Sequence, residues 1–387
     1  MKILYHHRTA SSDGQAVHIE EMILAMKELG HEIKIVSPQQ KDNNQMGNTI
    51  SWVEKLRNHS PKHLYEIMEL TYSILAYYRL FIIMKQFKPD ILYERYNLFM
   101  IAGAIIHKLH GLPFILEVNS PLAEERSVHG GLSFPRLAAW IEGMVWRSAN
   151  IVLPVTHVLA NYVEAYGVPK NRIHVIPNGI NLSKFSKNIS KDQAKFQLGL
   201  QNKLILGFTG FVRDWHGMDK VLYWMKNNNH YNVHLLIVGD GPARLELENL
   251  AKSLKLESRI SFTGVIPRDK VPNYIASFDI ALQPSVVSYA SPLKLFEYMA
   301  LAKPIIAPDT PNLREILENE KNALLFNINH PSSFESALNK LCSDSTLRNQ
   351  IGNGARDTID KLQLTWIGNA MKVEKVAKQL LFSNLQK

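Results

Sequence analysis

Lys294 and Glu297 lie one helical turn apart in a mostly apolar segment, YASPLKLFEYMALAKPIIAPDT (residues 289–310). Ser291 and Pro292 precede them, and these residue types favour the N-cap and the first position of a helix. A cation in the first turn opposes the helix dipole, so Lys294 is unfavourable unless an anion binds the exposed amide groups. Glu297 lies on the same helix face and can accept hydrogen bonds from hydroxyl groups. The spacing predicts a nucleoside diphosphate site, and the alternative is an intrahelical ion pair.

The charge of the chain is concentrated in its second half. Residues 166–387 contain 28 Lys and Arg against 19 Asp and Glu, whereas residues 1–165 contain 16 of each, so the second half carries the whole net charge of +9. This excess is consistent with an anionic ligand in the second half. The basic residues are dispersed and do not alternate with aromatic residues, so nucleic acid is not an expected partner.

Short runs of Ile, Val and Leu alternate with helical patterns along the chain, which is typical of parallel sheets covered on both faces. The predicted strands are 2–6, 32–37, 90–94, 113–118, 150–155, 203–210, 233–241, 259–264, 279–284 and 303–308. A chain of 387 residues exceeds one ordinary core. We therefore expect two α/β domains, 1–175 and 176–364, and an amphipathic C-terminal helix, 365–387, that packs back on the first domain.

Several features bear on where the protein works. Cys342 is the single cysteine, which favours a reducing compartment, and the first ten residues are typical of a strand and not of a signal peptide. The apolar run 72–84 is interrupted by Arg79 and is shorter than the ~20 residues of a membrane span. Its aromatic, aliphatic and basic residues predict peripheral contact with a membrane surface, and the alternative is a helix packed on its own sheet. We expect a cytoplasmic protein, at the inner face of the cell membrane.

Five segments together resemble the GT-B-fold retaining glycosyltransferases of family 4. They are VIPNGIN (175–181), GFTGFVRDWHGMDKVL (207–222), VGDGP (238–242), SFTGVIP (261–267) and SPLKLFEYMA (291–300), in the order that the family has them. The resemblance covers most of the chain and is densest over 172–327. It implies two Rossmann-like doubly wound parallel-sheet domains that face a central cleft, the first binding the acceptor and the second the nucleotide sugar.

The resemblance also implies a function. It predicts retaining transfer of a hexose from a UDP- or GDP-sugar to a glycan or lipid-linked acceptor, in the synthesis of cell-surface polysaccharide or glycolipid. Three alternatives remain open: a nucleotide-sugar epimerase, a non-catalytic subunit of GT-B shape, and a dinucleotide oxidoreductase. The last is disfavoured because Arg244 stands where the third glycine of a dinucleotide fingerprint would follow VGDGP. A tight strand-to-helix turn is the predicted role of that segment.

The resemblance assigns candidate roles to individual residues. The predicted catalytic residues are Lys294, Arg213 and Asn119. The predicted donor-binding residues are Gly14, Gly210, Arg213, His216, Val265, Ile266, Ser291, Pro292, Leu293, Lys294 and Glu297. The predicted acceptor-binding residues are His18, Glu124, Glu125 and His129.

The chain departs from the family pattern at several of these positions. Tyr289 replaces the first of two glutamates, and Phe211 and His216 replace an arginine and a lysine of the phosphate loop. Arg213 lies two residues beyond the missing arginine, and we expect it to supply that charge. Asn119 stands where many members have a histidine that contacts the donor sugar.

The sequence predicts catalysis without a metal ion or a cofactor. It contains no Asp-x-Asp triplet and no His and Cys cluster with metal-ligand spacing. The leaving phosphate can itself take the acceptor proton, so no protein base is obligatory. Positioning and electrostatic stabilisation would carry the reaction.

Overall fold

The computed structural model describes residues 1–9, 14–38, 61–185 and 190–385, with only the backbone of 129, 331, 384 and 385. The chain divides into two compact units of similar size. Unit 1 is Met1–Pro177 together with Trp366–Lys387, and unit 2 is Asn178–Thr365.

The described strands and helices alternate along the chain. The strands are β1 (Lys2–His6), β2 (Glu32–Val36), β3 (Ile91–Arg95), β4 (Phe114–Val118), β5 (Ile151–Pro154), β6 (Leu204–Thr209), β7 (Val233–Val238), β8 (Ile260–Phe262), β9 (Ile280–Leu282), β10 (Ile305–Pro308) and β11 (Leu324–Phe326). The helices are α1 (Gly14–Glu28), α2 (Lys62–Phe87), α3 (Ala102–His110), α4 (Leu122–His129), α5 (Pro135–Ser148), α6 (His157–Ala165), α7 (Lys191–Gln197), α8 (Met218–Asn227), α9 (Arg244–Ser253), α10 (Val271–Ala276), α11 (Leu293–Ala300), α12 (Pro331–Ser343), α13 (Ser345–Leu362) and α14 (Trp366–Leu385).

Unit 1 contains a parallel sheet with the strand order β2-β1-β3-β4-β5. Every residue of β3, β4 and β5 is buried, because helices cover a parallel sheet on both faces and leave no strand face for water. The strand order reverses direction between β1 and β3. In doubly wound folds the carboxyl ends of the strands at such a point form the ligand-binding edge.

Unit 2 contains a parallel sheet with the strand order β11-β10-β9-β6-β7-β8. Successive strand residues face opposite sides, so Ile205 joins one apolar cluster with α11 and α13, and Leu206 joins another with α8 and α12. The strand order reverses between β6 and β9. The residues that follow these two strands therefore occupy the ligand-binding edge of unit 2.

The prediction of two parallel-sheet α/β domains is confirmed. All ten predicted strands are present, but most are shorter than the apolar runs because flanking Pro, Gly and charged residues belong to the loops. The sequence analysis missed β11, a three-residue strand that pairs with β10. An apolar run of three residues is too short to indicate a strand until the neighbouring strand is known.

Helix α14 belongs to unit 1 although it ends the chain. Its buried side chains, Trp366, Ala370, Val373 and Ala377, recur at intervals of three and four residues, as on one helix face. The Trp366 ring packs edge-on against His18 of α1, with centroids 4.9 Å apart. The Asn369 side-chain amide donates to the carbonyl of Pro177 at 2.6 Å.

Helix α2 is longer than the apolar run 72–84, because Arg79 does not interrupt it and Lys88 ends it in a left-handed conformation. By length and composition it is, among the described residues, the one helix that could cross a membrane. The expectation that this segment is too short to do so is therefore wrong. Its side chains nevertheless make specific contacts within unit 1, which are described below.

Glu142 of α5 is a fully buried carboxyl that supports the start of α4. Its Oε2 accepts the backbone N–H of Ala123 at 3.2 Å, and its Oε1 has no hydrogen-bond partner within the described residues. Burial raises the pKa of Glu142 to about 8, although the amides of Ala123 and Leu122 oppose the shift. Glu142 is therefore mostly protonated at neutral pH.

We expect the stability of unit 1 to fall as the pH rises from about 4.5 to about 8, because the unfolded chain releases the Glu142 proton over this range and the folded chain keeps it. Glu142→Gln removes this contribution, which amounts to at most about 1.4 kcal/mol per pH unit. Urea unfolding at several pH values measures the difference. Glu28→Gln, at an exposed position of α1, is the matched control. An unchanged pH slope in Glu142→Gln would contradict the assignment.

Candidate functional site

Lys294 places its ammonium group at the carboxyl end of β6. It lies in the first turn of α11, and its Nζ is 3.7 Å from the centre of the Phe208 ring. A Cβ atom at Gly210 would lie 3.4 Å from the same Nζ, so the ammonium group lies beside the backbone of the β6 loop. Because β6 and β9 flank the reversal of strand order, this is where the fold predicts a ligand.

The surroundings of Lys294 and Glu297 shift the pKa of both side chains. Burial lowers the pKa of Lys294 to about 7, and the nearby Glu297 opposes the shift. Burial raises the pKa of Glu297 to about 7, although the charges of Arg268 and Lys294 oppose this rise. No salt bridge joins Lys294 to Glu297 in the part of the chain that the structure describes. A bound anion would favour the charged form of Lys294, which the protein alone stabilises poorly.

The start of α11 differs from the predicted one. Pro292 and not Ser291 occupies the N-cap, because the backbone of Pro292 is extended, with ψ 122°. The Ser291 hydroxyl accepts the backbone N–H of Asn178 at 3.2 Å, and the Ser291 carbonyl accepts the Asn178 side-chain amide. Ser291 as the helix cap is therefore wrong. No described side chain caps α11, so its first amide groups, from Leu293 onward, suit an anion.

His216 is a neutral hydrogen-bond donor in the loop after β6. Burial, together with the charges of Lys294 and Arg213, lowers the pKa of His216 to about 3. Its Nδ1 lies 3.0 Å from the backbone nitrogen of Arg213 and accepts that N–H. The proton of a neutral imidazole must then be on Nε2. His216 can therefore donate one hydrogen bond where the family pattern has a lysine charge.

Arg213 lies at the surface of the same loop. Its guanidinium carbon is 5.1 Å from the centre of the Phe211 ring, as in a cation–π contact. Arg213 forms no salt bridge with any residue that the structure describes. Its charge remains available to a ligand, and Phe211, which replaces the family arginine, supports the Arg213 side chain.

The glycines of VGDGP allow two loops to approach closely. A Cβ atom at Gly239 would lie 2.2 Å from the carbonyl oxygen of Gly210, and one at Gly241 would lie 2.2 Å from that of Val212. Gly239 also has φ +141°, which side chains rarely adopt. These glycines hold the β6 loop in place by backbone packing. Close backbone packing therefore explains both glycines, and a dinucleotide site is not needed to explain them.

Val265 and Ile266 lie in the turn after β8. Val265 is half exposed, at 51%, whereas Ile266 packs against the apolar cluster that contains α11. Arg268 follows in the same turn, and its charge opposes the rise in the pKa of Glu297. This turn is therefore electrostatically coupled to the Lys294 and Glu297 site.

Asn119 lies at the carboxyl end of β4, within a buried network around Glu117. The Asn119 side-chain amide donates to Oε1 of Glu117 at 2.6 Å, and Arg95 of β3 donates to the same oxygen. The Tyr93 hydroxyl donates to Oε2 at 2.8 Å. Burial by itself would raise the pKa of Glu117, but the charges of His18 and Arg95 and these hydrogen bonds hold it well below its usual range.

His18 belongs to the same network. Only 3% of it is exposed, and its Nε2 is 3.0 Å from Oε2 of Glu117. The structure therefore places His18 in the interior of unit 1. Gly14 begins α1 and is exposed, and residues 10–13 before it lie outside the described residues.

The other predicted acceptor residues lie in α4. Glu124 is exposed and accepts a long hydrogen bond, 3.4 Å, from the Tyr162 hydroxyl. Glu125 is half-buried. The backbone of His129 ends α4, and its side chain lies outside the described residues.

Several residues that position the site were not predicted from the sequence. Glu117 and Arg95 are charged residues inside buried strands, and that contrast was the available signal. Tyr298 gave no signal, because a tyrosine on an apolar helix face suggests only packing. Its hydroxyl oxygen accepts the backbone N–H of Thr209 at 2.8 Å and thereby ties α11 to the end of β6.

Among residues 1–9, 14–38, 61–185 and 190–385, no three or more His, Cys, Asp or Glu side chains are grouped so that they could hold a metal ion. The positive groups at the end of β6 are side chains and helix amides.

Family models match nearly all of the chain. A glycosyltransferase family 4 model matches residues 12–184, and a glycosyl transferases group 1 model matches residues 190–358. The chain therefore consists of a family 4 and a group 1 glycosyltransferase domain. It is a glycosyltransferase of the group 1 family with the GT-B fold.

Individual relatives agree with this assignment. The chain is 25% identical to the Escherichia coli UDP-Gal:α-D-GlcNAc-diphosphoundecaprenol α-1,3-galactosyltransferase, over 76% of this chain and 79% of the relative. It is 26% identical to an uncharacterised glycosyltransferase of Methanocaldococcus jannaschii, and that match spans 61% of this chain and 62% of the relative. The solved structure of Anabaena HepE in complex with UDP and glucose has a TM-score of 0.75, at 17% identity over 98% of this chain and 100% of HepE.

We expect Gly239→Ala to lower the free energy of unfolding of unit 2 by at least about 3 kcal/mol, because the new Cβ meets the Gly210 carbonyl and the backbone is strained. Gly199→Ala is the matched control. Gly199 also has positive φ, but nothing lies within 4 Å of its Cβ position, so only strain of about 1 kcal/mol is expected. Urea unfolding compares the two variants, and equal losses would contradict the packing role of Gly239.

Proposed function

We propose that this protein is a retaining hexosyltransferase that uses a UDP- or GDP-sugar and a glycan or lipid-linked acceptor, in the synthesis of cell-surface polysaccharide or glycolipid. The observation that carries the proposal is the desolvated Lys294 ammonium group at the carboxyl end of β6. It lies beside the amides of α11 and a neutral histidine donor. This combination of charge and hydrogen-bond donors suits a diphosphate.

The roles of the donor site follow from its chemistry. Lys294, the first amides of α11, the Nε2–H of His216 and the Arg213 guanidinium would hold the diphosphate. Glu297 would accept hydrogen bonds from the ribose hydroxyls. The backbone of the Val265 turn would contact the base.

Two backbone segments complete the proposed donor site. The Gly210 backbone would approach the phosphates, because no side chain stands there. Gly14, at the start of α1, would likewise let the backbone approach the phosphates or the transferred sugar. Ser291 and Pro292 would act through the conformation that they give to the start of α11, anchored by Asn178.

The proposed reaction breaks the bond between the anomeric carbon of the sugar and the diphosphate oxygen. The acceptor hydroxyl forms the new bond on the same face, and its proton passes to the leaving phosphate. The protein contributes positioning and positive charge as the diphosphate departs. Because Lys294, Arg213 and helix amides supply that charge, we propose that neither a metal ion nor a cofactor is required.

The acceptor side of the proposal rests on unit 1. Asn119 remains the predicted contact to the transferred sugar, with its amide oriented by Glu117. Glu124, Glu125 and His129 remain predicted acceptor contacts. We propose a cytoplasmic location at the inner face of the cell membrane, and the E. coli relative, whose acceptor is linked to diphosphoundecaprenol, supports a lipid-linked substrate.

We expect UDP or GDP, and one class of their sugars, to raise the melting temperature, because a ligand that binds only the folded state stabilises it. With acceptor, release of nucleoside diphosphate should continue in the presence of EDTA, and NMR of the product should show the anomeric configuration of the donor.

Lys294→Met keeps the apolar contact with Phe208 but removes the charge, so we expect activity to fall at least about 100-fold. Lys226→Met, on the exposed face of α8, is the control.

Three outcomes would contradict parts of this proposal. Nucleotide binding without turnover of any donor would favour a non-catalytic subunit. An inverted product would remove the retaining assignment, and loss of activity with EDTA would remove metal independence.

We expect the affinity for nucleoside diphosphate to fall as the pH rises through about 7, because Lys294 loses a positive charge and Glu297 gains a negative one. Both titrations weaken the attraction for the diphosphate, so they act in the same direction. Calorimetry between about pH 6 and about pH 9 should show, for each of the two groups, up to about a tenfold loss of affinity per pH unit above its pKa. Lys294→Met and Glu297→Gln should each flatten the profile. A pH-independent affinity in the unaltered protein would rule out this electrostatic role.

A further inference from the structure

Helix α2 packs on unit 1 through its polar and small side chains. Its buried residues are Glu66, Glu69, Ser73, Ala76 and Leu80. Glu66 accepts the backbone N–H groups of Ser133 and Phe134, at 2.6 Å and 3.0 Å. The Ser73 hydroxyl donates to the carbonyl of Phe99 at 2.7 Å. The inner face of α2 is therefore polar and hydrogen-bonded from Glu66 to Ser73, and it is apolar only at Ala76 and Leu80.

Glu69 connects the same face to the segment that follows β1 and to helix α4. Its two carboxylate oxygens each accept one arginine at 2.6 Å, Arg8 after β1 and Arg126 in α4. The Arg126 guanidinium also lies over the Phe99 ring, 5.8 Å from its centre. These contacts fix the rotation of α2 about its axis, so they fix which face is exposed.

The outer face of α2 is apolar. It exposes Leu64, Ile67, Ile74, Leu75, Tyr78 and Ile82, which are 45–59% exposed. At 3.6 residues per turn these six side chains fall within an arc of about 100°, opposite the buried face. The helix is thus inverted relative to an ordinary surface helix, which turns its apolar face inward. An exposed apolar stripe of this kind marks a partner or a membrane.

The exposed charged residues of α2 and of its C-terminal cap are positive. Both acidic residues of α2 lie on its buried face, whereas Lys62, Arg79, Lys85 and the terminal Lys88 are exposed. Helix α3, which packs against α2, contains no acidic residue and exposes Lys108. The His110 ring of α3 lies 5.1 Å from the Phe81 ring of α2, so these groups form one surface. Its charge complements an anionic surface.

We propose that the outer face of α2 lies in the interface of an anionic lipid bilayer. The apolar stripe enters the boundary between headgroups and acyl chains, and Arg79, Lys85 and Lys88 contact lipid phosphates. Helix α2 lies in the plane of the membrane and does not cross it, because crossing would strip Glu66 and Glu69 of their partners in unit 1. This binding surface does not depend on the transferase chemistry proposed above.

The first test separates the apolar stripe from general surface hydrophobicity. The protein is sedimented with vesicles of phosphatidylcholine, with or without phosphatidylglycerol. Ile74→Ser combined with Tyr78→Ser should lower the partition coefficient onto the mixed vesicles at least roughly tenfold. Tyr223→Ser combined with Leu245→Ser replaces equally exposed residue types of unit 2 and should change nothing.

The second test concerns charge. Arg79→Gln combined with Lys85→Gln should weaken binding to the mixed vesicles by roughly fivefold per charge removed, and should reduce its salt dependence. Binding to phosphatidylcholine alone should not change. Lys226→Gln combined with Lys252→Gln, on exposed helix positions of unit 2, is the matched control.

Several results would overturn the proposal. It fails if the unaltered protein does not bind the mixed vesicles, or if the α2 variants bind as well as their controls. It also fails if Ile74→Ser with Tyr78→Ser converts a dimer into a monomer without changing vesicle binding, since the stripe then joins two copies of the chain. Resistance to alkaline carbonate extraction from membranes would instead indicate a spanning helix. The melting-temperature shift with UDP or GDP should be the same in all these variants, so a failure here leaves the donor site intact.

Discussion

The chemistry proposed for unit 2 depends on one positive charge that the protein solvates poorly. The Lys294 ammonium group has an aromatic ring on one side and a glycine backbone on another, and its neighbour Glu297 does not pair with it. Burial therefore lowers its pKa to about 7. A folded chain holds a cation in this state at a cost in free energy, and a bound diphosphate would offset that cost. A bound diphosphate would also account for a lysine at a position where the helix dipole opposes a cation.

The rest of unit 2 keeps that charge in place. Tyr298 joins α11 to the end of β6, and Asn178 anchors the residue before Pro292. Gly239 and Gly241 let the next strand end pack directly on the backbone of the β6 loop. Burial keeps His216 neutral, so it adds a hydrogen-bond donor without a second desolvated charge.

Unit 1 also buries ionisable groups, but here they are carboxyl groups. The buried carboxylate Glu117 is compensated by Arg95, Tyr93 and Asn119, so it stays ionised. Glu142 accepts a backbone amide, and burial raises its pKa to about 8. Helix α2 buries its acidic residues against arginines and amides, and it turns a stripe of apolar residues outward. In α2, the polar partners of Glu66 and Glu69 decide which face of the helix is turned inward.

The sequence by itself determined the two parallel sheets and the candidate donor site. Apolar runs separated by helical patterns specify strand and helix locally, and the SPLKLFEYMA and GFTGFVRDWHG segments carry their chemistry in residue type and spacing. Only the tertiary structure decided the N-cap of α11, because the Asn178 partner of Ser291 lies 113 residues away. It also decided the burial of His18 and the inversion of α2. A hydrophobic pattern gives the two faces of a helix, but which face is turned inward depends on partners such as Arg8 and Arg126, which lie far away in the sequence.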